Sequence, residues 1–222
     1  MNKKLPFLLL LLLATMAAHA QRNRKVKVYT PYGKMVIRLY DQTPKHRDNF
    51  LRLTKQHYFD SLLFHRVIKN FMIQGGDPDS KRAKPGETVG NGGPGYTVPA
   101  EFQLDLYHRK GALGAARDDN PAKASSGSQF YIVQGKKWTE GGLDTLEQTR
   151  LGGRKLPVDQ REVYKTWGGS PHLDQNYTVF GQVVKGLQVI DSIAAVQTNK
   201  ADNRPLQDVR MKIRLKKKFF FF

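Results

Sequence analysis

Near the end of the 222-residue chain, Val209, Met211, Ile213 and Leu215 alternate with Arg210, Lys212, Arg214 and Lys216. A period of two places the apolar set on one face of an extended strand and the charged set on the other, so this segment demands a sheet with one buried and one wet side. The pattern recurs upstream. Over 26–40, Val26 and Val28 alternate with basic neighbours, Pro31, Tyr32 and Gly33 supply a turn, and Met35, Ile37 and Leu39 resume the alternation, which predicts a hairpin. Apolar runs at 62–68, 71–74, 111–116, 129–133 and 177–184 read as further short strands. Many short strands and few helices predict a mainly β fold, an antiparallel sheet closed or nearly closed into a barrel.

Two helices are expected beside the sheet. Thr43 and Pro44 read as an N-cap and first-turn proline ahead of Phe50, Leu51 and Leu53, with the helix running to about Gln56. Ile190, Ile193 and Ala194 give a second helix, over 187–196, its inward face. The segment 136–170 fits poorly with a β pattern: Leu143 and Leu146 are followed by Pro157 at a helix start and by Val163, Tyr164 and Trp167 on one face. It reads as a helical insertion packed outside the barrel or near its binding face. Gly90, Gly92 and Gly95 match the spacing GxGxxG, but a dinucleotide site requires a helix directly after the glycines, and Thr97, Val98 and Pro99 are β-like. A surface loop is expected there.

With 39% hydrophobic and 25% charged residues the chain is of ordinary globular composition, and one domain over 24–216 is expected. Residues 1–20 read as a secretory signal peptide: Lys3 and Lys4, an apolar run over 5–13, then Ala18, His19 and Ala20 as a cleavage site. The run falls short of the roughly 20 residues needed to span a bilayer, so export to a periplasm and a soluble mature chain are expected. With no Cys, neither disulfides nor a Cys-linked lipid can form. Loss of Lys3 and Lys4 lowers the formal net charge of +18 by two, to +16. Such a field attracts polyanions. The basic residues are scattered, which suits anionic envelope surfaces or acidic client chains, or simply a solvated surface, better than nucleic acid. The tail 217–222, two lysines and four phenylalanines, reads as a frayed end or as a group adsorbing at an anionic membrane surface.

The block FHRVIKNFMIQGGD, over 64–77, sets the permanently charged fork of Arg66 beside Phe71 and Met72, an apolar wall of the kind that lines small-ligand and peptide pockets. GSQFYI, over 127–132, has the same character. No GxSxG or HExxH motif supports hydrolysis, and His46, His57 and His108 lack metal-ligand spacing. His65, next to Arg66, points to the opposite face of a strand and is expected in the core.

Taken in order, FHRVIKNFMIQGGD, the Gly-rich loop ending in GYTVPAEF, GALGAAR, GSQFYI and HLDQNYTVFGQVV resemble the cyclophilin family of peptidyl-prolyl cis-trans isomerases, over roughly 24–216 apart from the insertion. The resemblance implies a closed eight-stranded antiparallel β-barrel capped by two α-helices. It also implies an enzyme of X–Pro amide rotation that needs no cofactor and no metal, acting on proline-containing polypeptides and, given the leader, on unfolded exported proteins. A monomer is expected.

By the same resemblance, Arg66 stabilises the pyramidal prolyl nitrogen of the twisted amide, and Gln74 holds the arginine and the peptide in place. Phe71, Met72 and Leu173 enclose the proline ring, Tyr131 is a further pocket aromatic, and Gln129 lies in the same wall. Ala116 and Arg117 fall where main-chain bonds hold the residue before proline. His172 stands where the family frequently has tryptophan, which puts cyclosporin binding in doubt, and Tyr177 stands at the position of a pocket histidine. Lys69 and Asn70 replace a Pro-Gly bend, and Asn tolerates a left-handed turn. Two rival functions stay open: a module that binds proline-containing segments as a chaperone or scaffold with little turnover, and a polyanion binder. For Arg66 itself the alternative is a surface ion pair, and for the apolar set it is plain core packing.

Overall fold

The computed structural model describes residues 25–216; the leader read at 1–20 and the tail 217–222 lie outside the described residues. The strands are β1 (Lys25–Thr30), β2 (Gly33–Leu39), β3 (Arg66–Ile68), β4 (Met72–Gly75), β5 (Thr97–Val98), β6 (Ala112–Ala115), β7 (Ser125–Ser126), β8 (Phe130–Val133), β9 (Val179–Lys185) and β10 (Lys212–Leu215). The helices are α1 (Pro44–Lys55), α2 (Glu140–Thr149), α3 (Val158–Thr166) and α4 (Leu187–Ala194). Eight strands form one curled antiparallel sheet in the order β10-β1-β2-β9-β6-β8-β4-β3, and β5 pairs with β7 separately. The hairpin of β1 and β2 has the register its alternation predicts, Val26 opposite Ile37 and Val28 opposite Met35, with all four side chains buried.

The ladder of this half-barrel ends at β3 and β10, where a closed barrel was expected. Several predicted strands are also shorter than their apolar patterns, among them the one read over 209–216, which is regular only over Lys212–Leu215. Leu63 N–H donates to the Ser80 hydroxyl at 3.1 Å and so leaves the strand pattern. Ser61 N–H donates to Met211 C=O at 3.0 Å, Met211 N–H to Leu62 C=O at 2.8 Å, and Phe64 N–H to Val209 C=O at 2.9 Å. These bonds, with a bridge between Leu63 and Arg210, connect the segments preceding β3 and β10. The strand predicted from 177 begins at Val179, because Tyr177 N–H turns back to Leu173 C=O.

The inner face of the sheet and the two flanking helices share one core. Phe50 of α1 meets Phe130 edge-on at 5.4 Å and Phe180 at 5.5 Å, a geometry that suits the quadrupoles of the rings. Val189, Ile190, Ile193 and Ala194 bury the inward face of α4. The start of α1 differs from expectation. Thr43 occupies the N-cap position, but its hydroxyl is buried without a partner. The free N–H groups of the first turn go instead to Glu101, whose carboxylate accepts from Lys45 and His46 N–H, each at 3.0 Å.

The 136–170 segment carries two helices, α2 and α3, joined by non-helical chain over 150–157. Leu143, Leu146, Leu156 and Tyr164 form its own core, with Tyr107, Trp138 and Leu151 packed on it. Trp167 is a correction: α3 ends at Thr166, and Trp167, as its C-cap, swings off the Tyr164 face and is 61% exposed. Buried Glu147 ties the two helices, accepting from Leu156 N–H at 3.0 Å, Arg161 Nη1 at 2.7 Å and Lys155 Nζ at 2.9 Å. Burial works to raise its carboxyl, but those three donors outweigh it and hold it at about 2. A carboxylate depressed from 4.5 to about 2 contributes stability in full above about pH 4.5 and loses it as pH falls toward 2. Thermal melts of wild type and Glu147→Gln should therefore differ most at neutral pH and converge on acidification through that window; a gap that is constant with pH would contradict this.

Candidate active site

The tight bend after β3 places the site's first half. Asn70 takes the left-handed conformation (φ +63°) that its side chain tolerates, and its N–H donates to Gln134 Oε1 at 2.6 Å. The chain then reverses into β4, and antiparallel register sets Arg66 directly opposite Gln74. Arg66 Nη1 donates to Gln74 Oε1 at 3.2 Å, Gln74 Nε2 to Gln129 Oε1 at 3.1 Å, and Gln129 Nε2 to Gly90 C=O at 2.7 Å and Gly92 C=O at 2.9 Å. The glycine loop thus anchors a relay of amides that ends on the guanidinium. Among the described residues Arg66 forms no ion pair, so its charge is not consumed by a carboxylate.

Arg66, Phe71, Met72, Gln74, Ala116, Arg117, Tyr131, Leu173 and Tyr177 line one cavity of about 140 Å³. Gln129 lies in the wall of an adjoining groove of about 390 Å³, which shares Gln74, Ala116 and Arg117 and is bordered by the loop from Gly90 to Thr97. His172 lies behind the cavity, with its ring 5.4 Å from that of Phe71. Burial, then the charge of Arg150, lowers His172 to about 4, so this edge of the site is uncharged at neutral pH.

The Arg117 side chain is engaged within the protein. Its Nε and Nη2 donate to Asn176 C=O and Oδ1 at 3.2 and 3.1 Å, and the guanidinium lies 4.7 Å over the Tyr177 ring. The N–H of Ala116 is engaged with Gln129 C=O at 3.0 Å, and its C=O accepts from Ser126 N–H at 2.8 Å. A bond from Ala116 to a bound chain must therefore use the second lone pair of its carbonyl. His65 is buried, as expected, with its ring facing Gly90 of the glycine loop; burial lowers it to about 4.

Three residues behind the cavity escaped the sequence reading of the site: His108, Tyr164 and Asp174. Asp174 follows Leu173 directly, and its buried Oδ1 accepts from His108 N–H at 2.9 Å and lies 2.8 Å from His108 Nδ1. His108 Nε2 lies 2.8 Å from the Tyr131 hydroxyl, and Tyr164 donates to Asp174 Oδ2 at 2.6 Å. Asp174 stands inside the HLDQNY block, where nothing in its neighbours' pattern marks it.

The sequence model described as cyclophilin type peptidyl-prolyl cis-trans isomerase/CLD matches residues 25–214, nearly the whole described chain. The chain belongs to the cyclophilin-type peptidyl-prolyl cis-trans isomerase family. Among its relatives is a Staphylococcus epidermidis protein named "Putative peptidyl-prolyl cis-trans isomerase", 38% identical over 186 residues that cover 83% of this chain and 87% of the relative. A Staphylococcus aureus protein of the same name is 37% identical over 202 residues, 87% of this chain and 95% of the relative. A Streptococcus pyogenes protein named "Putative bifunctional phosphatase/peptidyl-prolyl cis-trans isomerase" is 40% identical over 191 residues, 83% of this chain but 37% of that longer relative. In fold, the chain matches a Cryptosporidium parvum cyclophilin-type isomerase with a TM-score of 0.65 at 24% identity, over 88% of this chain and 99% of the other. A second structure of that protein, in the presence of the dipeptide Ala-Pro, gives 0.64, also at 24% identity, over 87% and 99%. This cyclophilin has the family's mainly β fold and carries the helices α2 and α3, which share a small core of their own.

Proposed function

We propose that this cyclophilin accelerates rotation about X–Pro amides in proline-containing segments of exported proteins during their folding. The observation that carries the reading is a guanidinium without a carboxylate partner among the described residues, braced by Gln74 and lining one cavity with Phe71, Met72, Tyr131 and Leu173. The uncatalysed barrier of roughly 18–20 kcal/mol comes from C–N double-bond character. Rotation removes that conjugation and leaves a lone pair on a pyramidal prolyl nitrogen. A charged donor aimed at this nitrogen binds the twisted state better than either planar isomer, which is the condition for catalysis. Met72, Phe71, Tyr131 and Leu173 hold the ring, and the wider groove takes the residues before it as an extended chain. No bond is made or broken in this step, so the site's own residues suffice.

Support for the substrate class comes from the Cryptosporidium relative studied with Ala-Pro. Support for export comes from the leader pattern of 1–20. For the scaffold, we take the bridge between Leu63 and Arg210 as the seam that closes the curled sheet into a barrel. A protease-coupled assay on an Ala-Pro tetrapeptide tests the function: the wild type should abolish most of the slow phase. Tight peptide binding with an unchanged slow phase would assign the chain to the chaperone or scaffold class instead. The relay gives a graded check within the same assay. Gln129→Leu, which frees Gln74 and the Gly90 and Gly92 carbonyls, should lower kcat/KM by about tenfold, the value of one lost hydrogen bond to a charge-bearing unit; an unchanged value would remove the loop from the account.

A further inference from the structure

Resting on the isomerase reading, we infer that the helical segment 140–166 positions two walls of the proline cavity, acting from Tyr164 through Asp174 and His108 on Tyr131, and through the chain itself on Leu173. Each link is a buried polar group whose direction is fixed by its neighbours. A carboxylate only accepts, so Asp174 takes the Tyr164 O–H on Oδ2 and the His108 Nδ1–H on Oδ1. With its proton on Nδ1, His108 offers Nε2 as the acceptor for the Tyr131 O–H. Burial pushes both phenols well above their usual range, so both keep the protons these bonds need.

Tyr131 is thereby held at its far end while its ring faces the cavity. The ring lies on Gly114 of β6, where a Cβ would stand 2.3 Å from its Cζ and so fits no other residue without moving it. Leu173 is attached to Asp174 by the chain, and the Asp174 carbonyl accepts from Arg154 Nη2, also from the helical segment, at 3.2 Å. One carboxylate therefore carries both walls. Tyr164 is itself fully buried in the segment's own core, and its C=O accepts from Trp138 N–H. Main-chain bonds from Ser170 N–H to His108 C=O at 2.8 Å and from Lys110 N–H to Gly168 C=O at 3.0 Å join the segment's base to the same strand approach.

Walls that touch the proline ring act on substrate and transition state alike, so loosening them raises KM and spares kcat. Tyr164 is thus a positioning residue, and its test is a double-mutant cycle in steady-state kinetics on an Ala-Pro tetrapeptide. Tyr164→Phe and Tyr131→Phe should each raise KM about fivefold, the equivalent of one net hydrogen bond, with kcat held within about twofold. The double variant should show no more than either single one, because the two hydroxyls act along one chain. A merely structural role would lower the folded fraction, and so the apparent kcat, at constant KM. An unchanged KM in Tyr164→Phe, or losses that multiply in the double variant, would overturn the inference while an active wild type left the isomerase reading intact. A wild type without activity in the same assay would refute that reading and this inference with it.

Discussion

Arg66→Ala should lower kcat/KM for an X–Pro peptide by about 100-fold while leaving the fold unchanged. Losing one preorganised donor to developing charge costs roughly 10²–10³ in rate where the site excludes water. Arg66 fits that description: half-buried, paired with no carboxylate among the described residues, and fixed by Gln74 and, behind it, Gln129. The fold should survive because the side chain contributes one hydrogen bond, to Gln74, and is not part of the hydrophobic core. In the proposed role the guanidinium meets the twisted amide and not the planar one, so the fall should lie mainly in kcat. Arg66→Lys should recover little, because a compact ammonium cannot bond Gln74 and the prolyl nitrogen at once. Circular dichroism and a melt of the variant alongside the kinetics would expose any loss due to unfolding. A variant with more than half of wild-type activity would remove Arg66 from the chemistry.

The largest stability loss should come from Asp174→Ala, about 3–5 kcal/mol by urea denaturation with the slope unchanged. The carboxylate is buried and accepts from His108 N–H, His108 Nδ1 and Tyr164 Oη. Alanine strands all three donors away from water, at about 1–3 kcal/mol for each unsatisfied group before relaxation. Tyr164→Phe removes one donor and leaves the other bonds in place, so it should cost only about 1 kcal/mol. An Asp174→Ala loss below that of Tyr164→Phe would mean that water reaches the cluster and satisfies it.

Much of the fold is legible in the sequence because its strands are half-buried and obey a period of two. The hairpin of 26–40 and the inward face of α4 follow from that rule and its helical counterpart. Pattern cannot show a strand cut short by a competing acceptor, as at Leu63, or a helix that ends one residue before a tryptophan can turn inward. The cavity was legible through Arg66, Phe71, Met72 and Gln74 because β3, its bend and β4 bring near neighbours in sequence together. The bracing groups were not. Asp174 and His108 are 66 residues apart, and the carbonyls of Gly90 and Gly92 carry no side-chain signature. The loop set aside as a chance GxGxxG match is the anchor of the arginine relay.

The central claim is turnover, and exchange spectroscopy by nuclear magnetic resonance on an Ala-Pro peptide measures it without a protease. With the full chain at a few per cent of the peptide concentration, cis and trans resonances should exchange many times per second, against tens to hundreds of seconds unaided, at an unchanged cis to trans ratio. Exchange that stays at the unaided rate while the peptide's resonances broaden on binding would contradict the account.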